Sequence, residues 1–141
     1  MARPNPIVEL LSGVELFRGV SKKDLSKIAD AMKEMDFPEG KVVTAEGDPD
    51  ARFYLIVEGG ARVSIRGRKR QLLGPGQYFG EIALIDGGPR SATITVETPL
   101  RTLTLAPWNF KPLLKENPDM TYKILIEVCR ILRSVEKSML Q

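Results

Sequence analysis

FGEIALIDGGPRSATITV, residues 79–96, is the stretch from which the fold is read. Phe79 closes a strand, and Glu81 to Ile85 suit a single helical turn. GGPRSA is a loop of glycine and small residues, and SATITVE alternates apolar and polar positions as a half-buried strand does. Glu81 and Arg90 stand nine residues apart in this setting. The pair reads as a ligand cradle or as a salt bridge beside a turn.

Working outward, the β character continues on both sides. KVVTAEGD, RFYLIVEGG and ARVSIRG are short runs rich in Val, Ile, Tyr and Phe, punctuated by Gly and Asp. Gly74-Pro75-Gly76 marks a turn after Leu72 and Leu73, and RTLTLA alternates again beyond the quoted segment. Short strands at this spacing predict a β-sandwich or roll over residues 37–106.

Helices bracket that core. In the helical region, residues 1–36, Ile7, Val8, Leu10 and Leu11 recur at helical spacing. Ser21 is an N-cap with Asp24 three residues on, opening a helix that turns Leu25, Ile28, Ala29 and Met32 inward. The C-terminal helices occupy 107–141, beginning at Pro107 and again at Pro118, with Pro112 limiting or bending the first. Ile124, Val128, Ile131 and Val135 step by 4, 3 and 4 as a narrow apolar seam, widened by Leu125, Leu132 and Met139. That seam suits packing on its own domain, closing over a ligand or pairing with a second copy. Residues 1–141 are read as a single domain of helix, β core and helix.

Composition narrows the chemistry. The chain has no histidine and one cysteine, Cys129, so His-ligated zinc or haem, Ser-His or Cys-His nucleophile pairs and four-cysteine iron–sulfur clusters are excluded. No metal site, no catalytic residues and no enzymatic activity are expected. A lone cysteine suits a reducing cytoplasm, and the start, MARPNPIVELL, lacks the apolar core of a secretory signal. No run approaches the ~18 apolar residues of a membrane span. The net charge of +3 permits an anionic ligand without arguing for DNA. Arg66, Arg68, Lys69 and Arg70 read as a solvated hairpin tip, because no aromatics interleave with them. Trp108 and Phe110 are expected to pack the short helix against the barrel, and Cys129 to be a small apolar filler.

The quoted segment has the parts of an anion cradle. Gly80 lets a ligand approach the backbone, and the free N–H groups of a helical turn beginning at Glu81 favour a phosphate. Arg90 supplies a guanidinium fork, and Ser91 and Ala92 are small enough for backbone N–H groups to come close. Glu81 would repel a phosphate, so it makes sense facing a hydroxyl that donates to it. Phosphate and sugar hydroxyl together imply a nucleotide, and without a polyphosphate loop the site suits one compact phosphate.

FGEIALIDGGPRSA resembles the phosphate-binding cassette of cyclic nucleotide-binding domains, the family of bacterial catabolite activator proteins and protein kinase A regulatory subunits. EGD at 46–48, FYLIVEG at 53–59 and LGPGQYFGE at 73–81 resemble that family's framework, so the likeness covers nearly the whole chain. It implies a double-stranded β-helix, jelly-roll-like, with N-terminal helices and a C-terminal lid helix. It implies that Arg90 pairs with the cyclic phosphate and that Glu81 accepts the ribose 2′-hydroxyl. The backbone N–H groups of Gly80, Ala83 and Ser91 would contact the ligand, and Phe79, Ile82 and Ala92 would complete its surroundings. Val63 aligns with an apolar position against the base. The ligand implied is cAMP first and cGMP second, and binding would move the C-terminal helix. Two departures bear on the base: the hairpin RGRKRQ is short, and Val135 and Glu136 stand near where the catabolite activators offer hydroxyls to adenine. No helix-turn-helix follows the long helix, so the expected partners are the nucleotide, a second copy through the C-terminal helix, or an effector in trans. The other reading is a non-binding interaction module, or a fragment of a longer cAMP-regulated protein.

Overall fold

The computed structural model describes residues 5–140, so what the sequence suggests for residues 1–4 and for Gln141 lies outside it. The chain divides into two compact units, one from Ala31 to Lys111 and the other from the segments before and after it.

The central unit is an antiparallel sheet built on two long strands, β3 (Phe53–Ile65) and β6 (Thr93–Leu105). Each was expected as two short runs, and each is one continuous strand of 13 residues. The two pair along their length, from Phe53↔Leu105 to Ser64↔Thr93, with register shifts between Ile56 and Ala61. Glycines make these shifts possible. Gly59 has φ +90°, and a Cβ there would strike the Pro99 carbonyl. On either side of the irregularity the strands take different second partners. β6 pairs with β1 (Lys33–Phe37) in its second half and with β2 (Val42–Thr44) in its first. β3 pairs with β5 (Tyr78–Phe79) early and with β4 (Arg68–Leu73) late. A bent pair with separate partners at each end is how an open sheet curls into a roll.

β1 corrects the helical boundary at residue 36. α2 (Lys22–Ala31) ends before Met32, and Lys33–Phe37 is strand, with Met35 and Phe37 half-buried between exposed neighbours. The alternation in KEMDF is period two, and pairing with β6 decides it against the helix. The core of the roll gathers Tyr54, Ile56, Val63, Phe79, Ile94 and Val96, with Tyr54 stacked on Phe79 at 4.9 Å between centroids. α3 (Glu81–Asp86) interrupts the strands, and α4 begins at Pro107. Phe110 is fully buried, whereas Trp108 is 63% exposed and lies under the Arg52 guanidinium, so only Phe110 packs inward as expected. The β3–β4 turn places Arg66 and Gly67 at positive φ, and Arg66 to Arg70 are all exposed, as a hairpin tip should be.

The second unit is helical. α1 (Pro6–Ser12) starts with the Asn5 side chain accepting from the Ile7 N–H at 3.0 Å, and Pro6 takes the first helical position. A 3₁₀ turn (Glu15–Phe17) follows, and then α2, where Ser21 Oγ accepts from the Asp24 N–H at 3.2 Å. α4 runs to Glu116, and α5 spans Pro118–Met139. The 3₁₀ turn packs on α5, where Met120 and Ile124 are buried. Beyond Ile124 the expected seam is open: Leu125, Val128, Leu132, Val135 and Met139 are exposed. Cys129 is exposed too, so it is not a filler. Among the described residues no helix is long and apolar enough to cross a membrane.

Candidate functional site

The site begins where β5 runs out. Gly80 has φ +89°, a conformation that turns the chain from strand into α3 and that L side chains rarely adopt. A Cβ at Gly80 would also collide with the Arg90 guanidinium and the Arg52 carbonyl. Glycine is therefore demanded twice, by dihedral angle and by crowding. The first closing bond of α3 runs from Leu84 N–H to Gly80 O at 3.1 Å, which leaves the N–H groups of Glu81, Ile82 and Ala83 without intrahelical acceptors. α3 ends at Gly87 (φ +69°), and Gly88 N–H donates to Asp86 Oδ1 at 2.7 Å, shaping the loop that delivers Arg90.

Arg90 is buried, with a side chain only 5% exposed. Its backbone is fastened to the loop after β2, Arg90 N–H donating to Asp48 O at 3.1 Å and Gly47 N–H to Arg90 O at 2.9 Å. Its Nη2 donates to the Arg52 carbonyl, Asp50 lies 3.8 Å away, and the Tyr54 ring faces the guanidinium at 5.8 Å. Asp50 is shared, accepting from Tyr54 Oη at 2.9 Å and from Arg52 N–H at 3.1 Å. Burial, then the Asp50 charge and hydrogen bond, push the Tyr54 phenol up to about 12. Among the described residues Glu81 and Arg90 form no ion pair, so the salt-bridge reading of that pair does not hold. Arg90 Nε remains buried without a hydrogen-bond partner.

These residues enclose a cavity of about 240 Å³. Phe79, Gly80, Glu81, Ile82, Ala83, Arg90, Ser91 and Ala92, residues singled out in the sequence, all line it. Val63 does not; it is buried beside Ile94, its cross-strand partner, in the core of the roll. Thr44, Asp86, Gly88, Pro89 and Ile94 also line the cavity and were not foreseen. Ile94 was legible from the alternation of SATITVE, whereas Thr44 arrives from a distant strand. The arrangement offers a buried cation, three N–H groups without intrahelical acceptors, a half-exposed carboxylate and an apolar floor. Such a set matches a small anionic ligand that also carries hydroxyls and an apolar face.

Comparison with known proteins identifies the family. The family model described as cyclic nucleotide-binding domain matches residues 34–117. The chain is 29% identical over 136 residues to a CRP-like cAMP-activated global transcriptional regulator of Mycobacterium tuberculosis, a match covering 93% of this chain and 61% of that one. It is 41% identical over 107 residues to the cAMP-dependent protein kinase regulatory subunit of Eremothecium gossypii, covering 75% of this chain and 23% of that one. It thus spans less than two thirds of the length of either relative. The crystal structure of the N-terminal domain of a transcriptional regulator from Streptomyces coelicolor superposes with a TM-score of 0.84 at 28% identity, covering 94% of this chain and 96% of that one. With its antiparallel β-roll, flanking helices and glycine-bounded arginine cavity, the chain belongs to the cyclic nucleotide-binding domain family.

Proposed function

We propose that the cavity binds a 3′,5′-cyclic nucleotide reversibly, cAMP first and cGMP second, and that the domain acts as a regulatory switch without chemistry on its ligand. The observation that carries this reading is Arg90: a buried guanidinium lining a cavity, with Nε still lacking a partner. A buried cation held beside one carboxylate at 3.8 Å is poised for a second anion, and the cyclic phosphate supplies it. The N–H groups of Gly80, Ala83 and Ser91 then complete the phosphate shell, and Glu81 accepts the ribose 2′-hydroxyl. Phe79, Ile82 and Ala92 give the sugar and base an apolar surface, and Val63 backs that surface from the core.

The switch lies in the C-terminal helix, whose position changes on binding. A ligand biases that helix only through its differential affinity for the two positions. The exposed apolar residues of α5 favour assembly as the output, as a homodimer or on an effector in trans, in a cytoplasmic setting. Residues 1–141 act as a single domain in this scheme.

Calorimetric titration of cAMP and cGMP into nucleotide-free protein tests the reading, with Arg90→Ala in parallel. Binding by the wild type, lost in the variant, supports it, and nucleotide recovered unchanged after incubation supports a binding rather than a catalytic role. A folded wild type that binds neither nucleotide overturns it and leaves a non-binding interaction module.

A further inference from the structure

One polar group in the cavity has no part in the scheme above. Thr44 ends β2, is 1% exposed, and its hydroxyl has no hydrogen-bond partner. Thr44 lines the cavity beside Ile94, with which it pairs across the strands. A register shift separates the pairs Val42↔Thr95 and Thr44↔Ile94, so β2 has one more residue than β6 opposite it. In a regular strand Val43 and Thr44 would point to opposite faces. Here Val43 packs on the core of the roll while Thr44 is also buried. The bulge thus brings a hydroxyl into an apolar floor where valine, of nearly the same shape, would be the ordinary filler.

The position along the cavity says what that hydroxyl meets. Arg90, Ser91, Ala92 and Ile94 line it in chain order. Four residues of chain separate Arg90 from Ile94, a reach of at most about 13 Å, and Thr44 lies opposite Ile94 on the neighbouring strand. That reach is comparable to the length of a cyclic nucleotide from its phosphate to the outer edge of its base. With the phosphate at Arg90 and the ribose at Glu81, Thr44 stands at the base end. A threonine hydroxyl both donates and accepts, so it can pair with a ring nitrogen, an exocyclic amine or an oxo group of a purine.

We propose that Thr44, turned inward by the β2 bulge, hydrogen-bonds the purine base and sets the preference between adenine and guanine nucleotides. This rests on the cyclic-nucleotide reading of the same cavity.

The isosteric variant Thr44→Val tests it, with cAMP and cGMP titrated into the full chain and thermal unfolding of the nucleotide-free proteins measured alongside. The expected result is an unchanged or raised melting temperature, a Kd for the preferred nucleotide roughly five- to thirtyfold weaker, and an altered cAMP-to-cGMP ratio, the loss of a single hydrogen bond in a dry site. Unchanged affinities for both nucleotides overturn the proposal while leaving the function intact. Equal weakening for both nucleotides overturns it as well, placing the hydroxyl on the phosphate or ribose. A wild type that binds neither nucleotide fails the functional reading first and takes this inference with it.

Discussion

Arg90 concentrates the strongest single-residue effect. A charge-assisted contact of this kind contributes ~1.5–3 kcal/mol, so Arg90→Ala should weaken cyclic nucleotide binding by roughly one to two powers of ten. Arg90→Lys should not restore it, because an ammonium lacks the planar fork needed to engage a phosphate while still donating to the Arg52 carbonyl. Calorimetry on both variants reads this directly. Tyr54 provides a test that needs no ligand. Its ordinary value of 10 becomes about 12 in the fold, through burial first and Asp50 second. The fold therefore favours the neutral phenol. That contribution to stability is complete below pH 10 and is lost as pH rises through about 12. Of the three tyrosines, one should ionise late in an ultraviolet titration of the folded protein, and Tyr54→Phe should remove that late step. Much of the site was legible at this scale because the segment from Phe79 to Ala92 is contiguous. Gly80, Glu81 and Arg90 could be picked out by chemistry and spacing alone. Asp50 and Thr44 could not, since only tertiary pairing of the loop and β2 with the Arg90 segment brings them there.

Among the elements, α5 is the one whose sequence admitted more than one structure. Its apolar positions suited a buried seam, and periodicity alone does not say what a stripe is buried against. Only Ile124 of the narrow seam is buried, while Leu125, Val128, Leu132, Val135 and Met139 step by 3, 4, 3 and 4 along an exposed face. That spacing suits a two-helix seam between copies. Light scattering on the size-fractionated protein should show a dimer, and Leu132→Glu with Val135→Glu should give a folded monomer; a monomeric wild type would refute pairing through this face. The strands teach a related lesson. Gly59-Gly60 reads as a strand break in a linear scan, yet it is the bulge that lets one strand serve two neighbours. Residues 33–36 fall inside the predicted helical region because so short a run, with Met35 its one apolar member, fits either period. The deciding partner, β6, lies far downstream in the chain, with Lys33 opposite Thr104.

For the whole molecule, ligand binding must appear as stability. A ligand that binds only the folded state at a hundred times its Kd adds about 2.7 kcal/mol. The wild type should therefore unfold at a higher temperature in saturating cAMP than without it, and Arg90→Ala should show little shift at the same concentration. A scan by differential scanning fluorimetry separates the two. The alternation of helix, β core and helix was legible because the hydrophobic period changes near Pro107 and near Phe37, the latter one short strand after the β unit actually begins. The division into two units was not, because it depends on segments from opposite parts of the sequence finding one another.

That division has a consequence for how the protein comes into being. Every residue of the β unit lies between Ala31 and Lys111, so its last strand has been translated before most of α5 exists. The helices before Ala31 are made first yet completed last, since the surface that covers their 3₁₀ turn is on α5. On the ribosome, the middle of the chain can fold ahead of its beginning. The nascent chain would then hold a formed cradle around Arg90 while the 3₁₀ turn at Glu15–Phe17 still waits for α5.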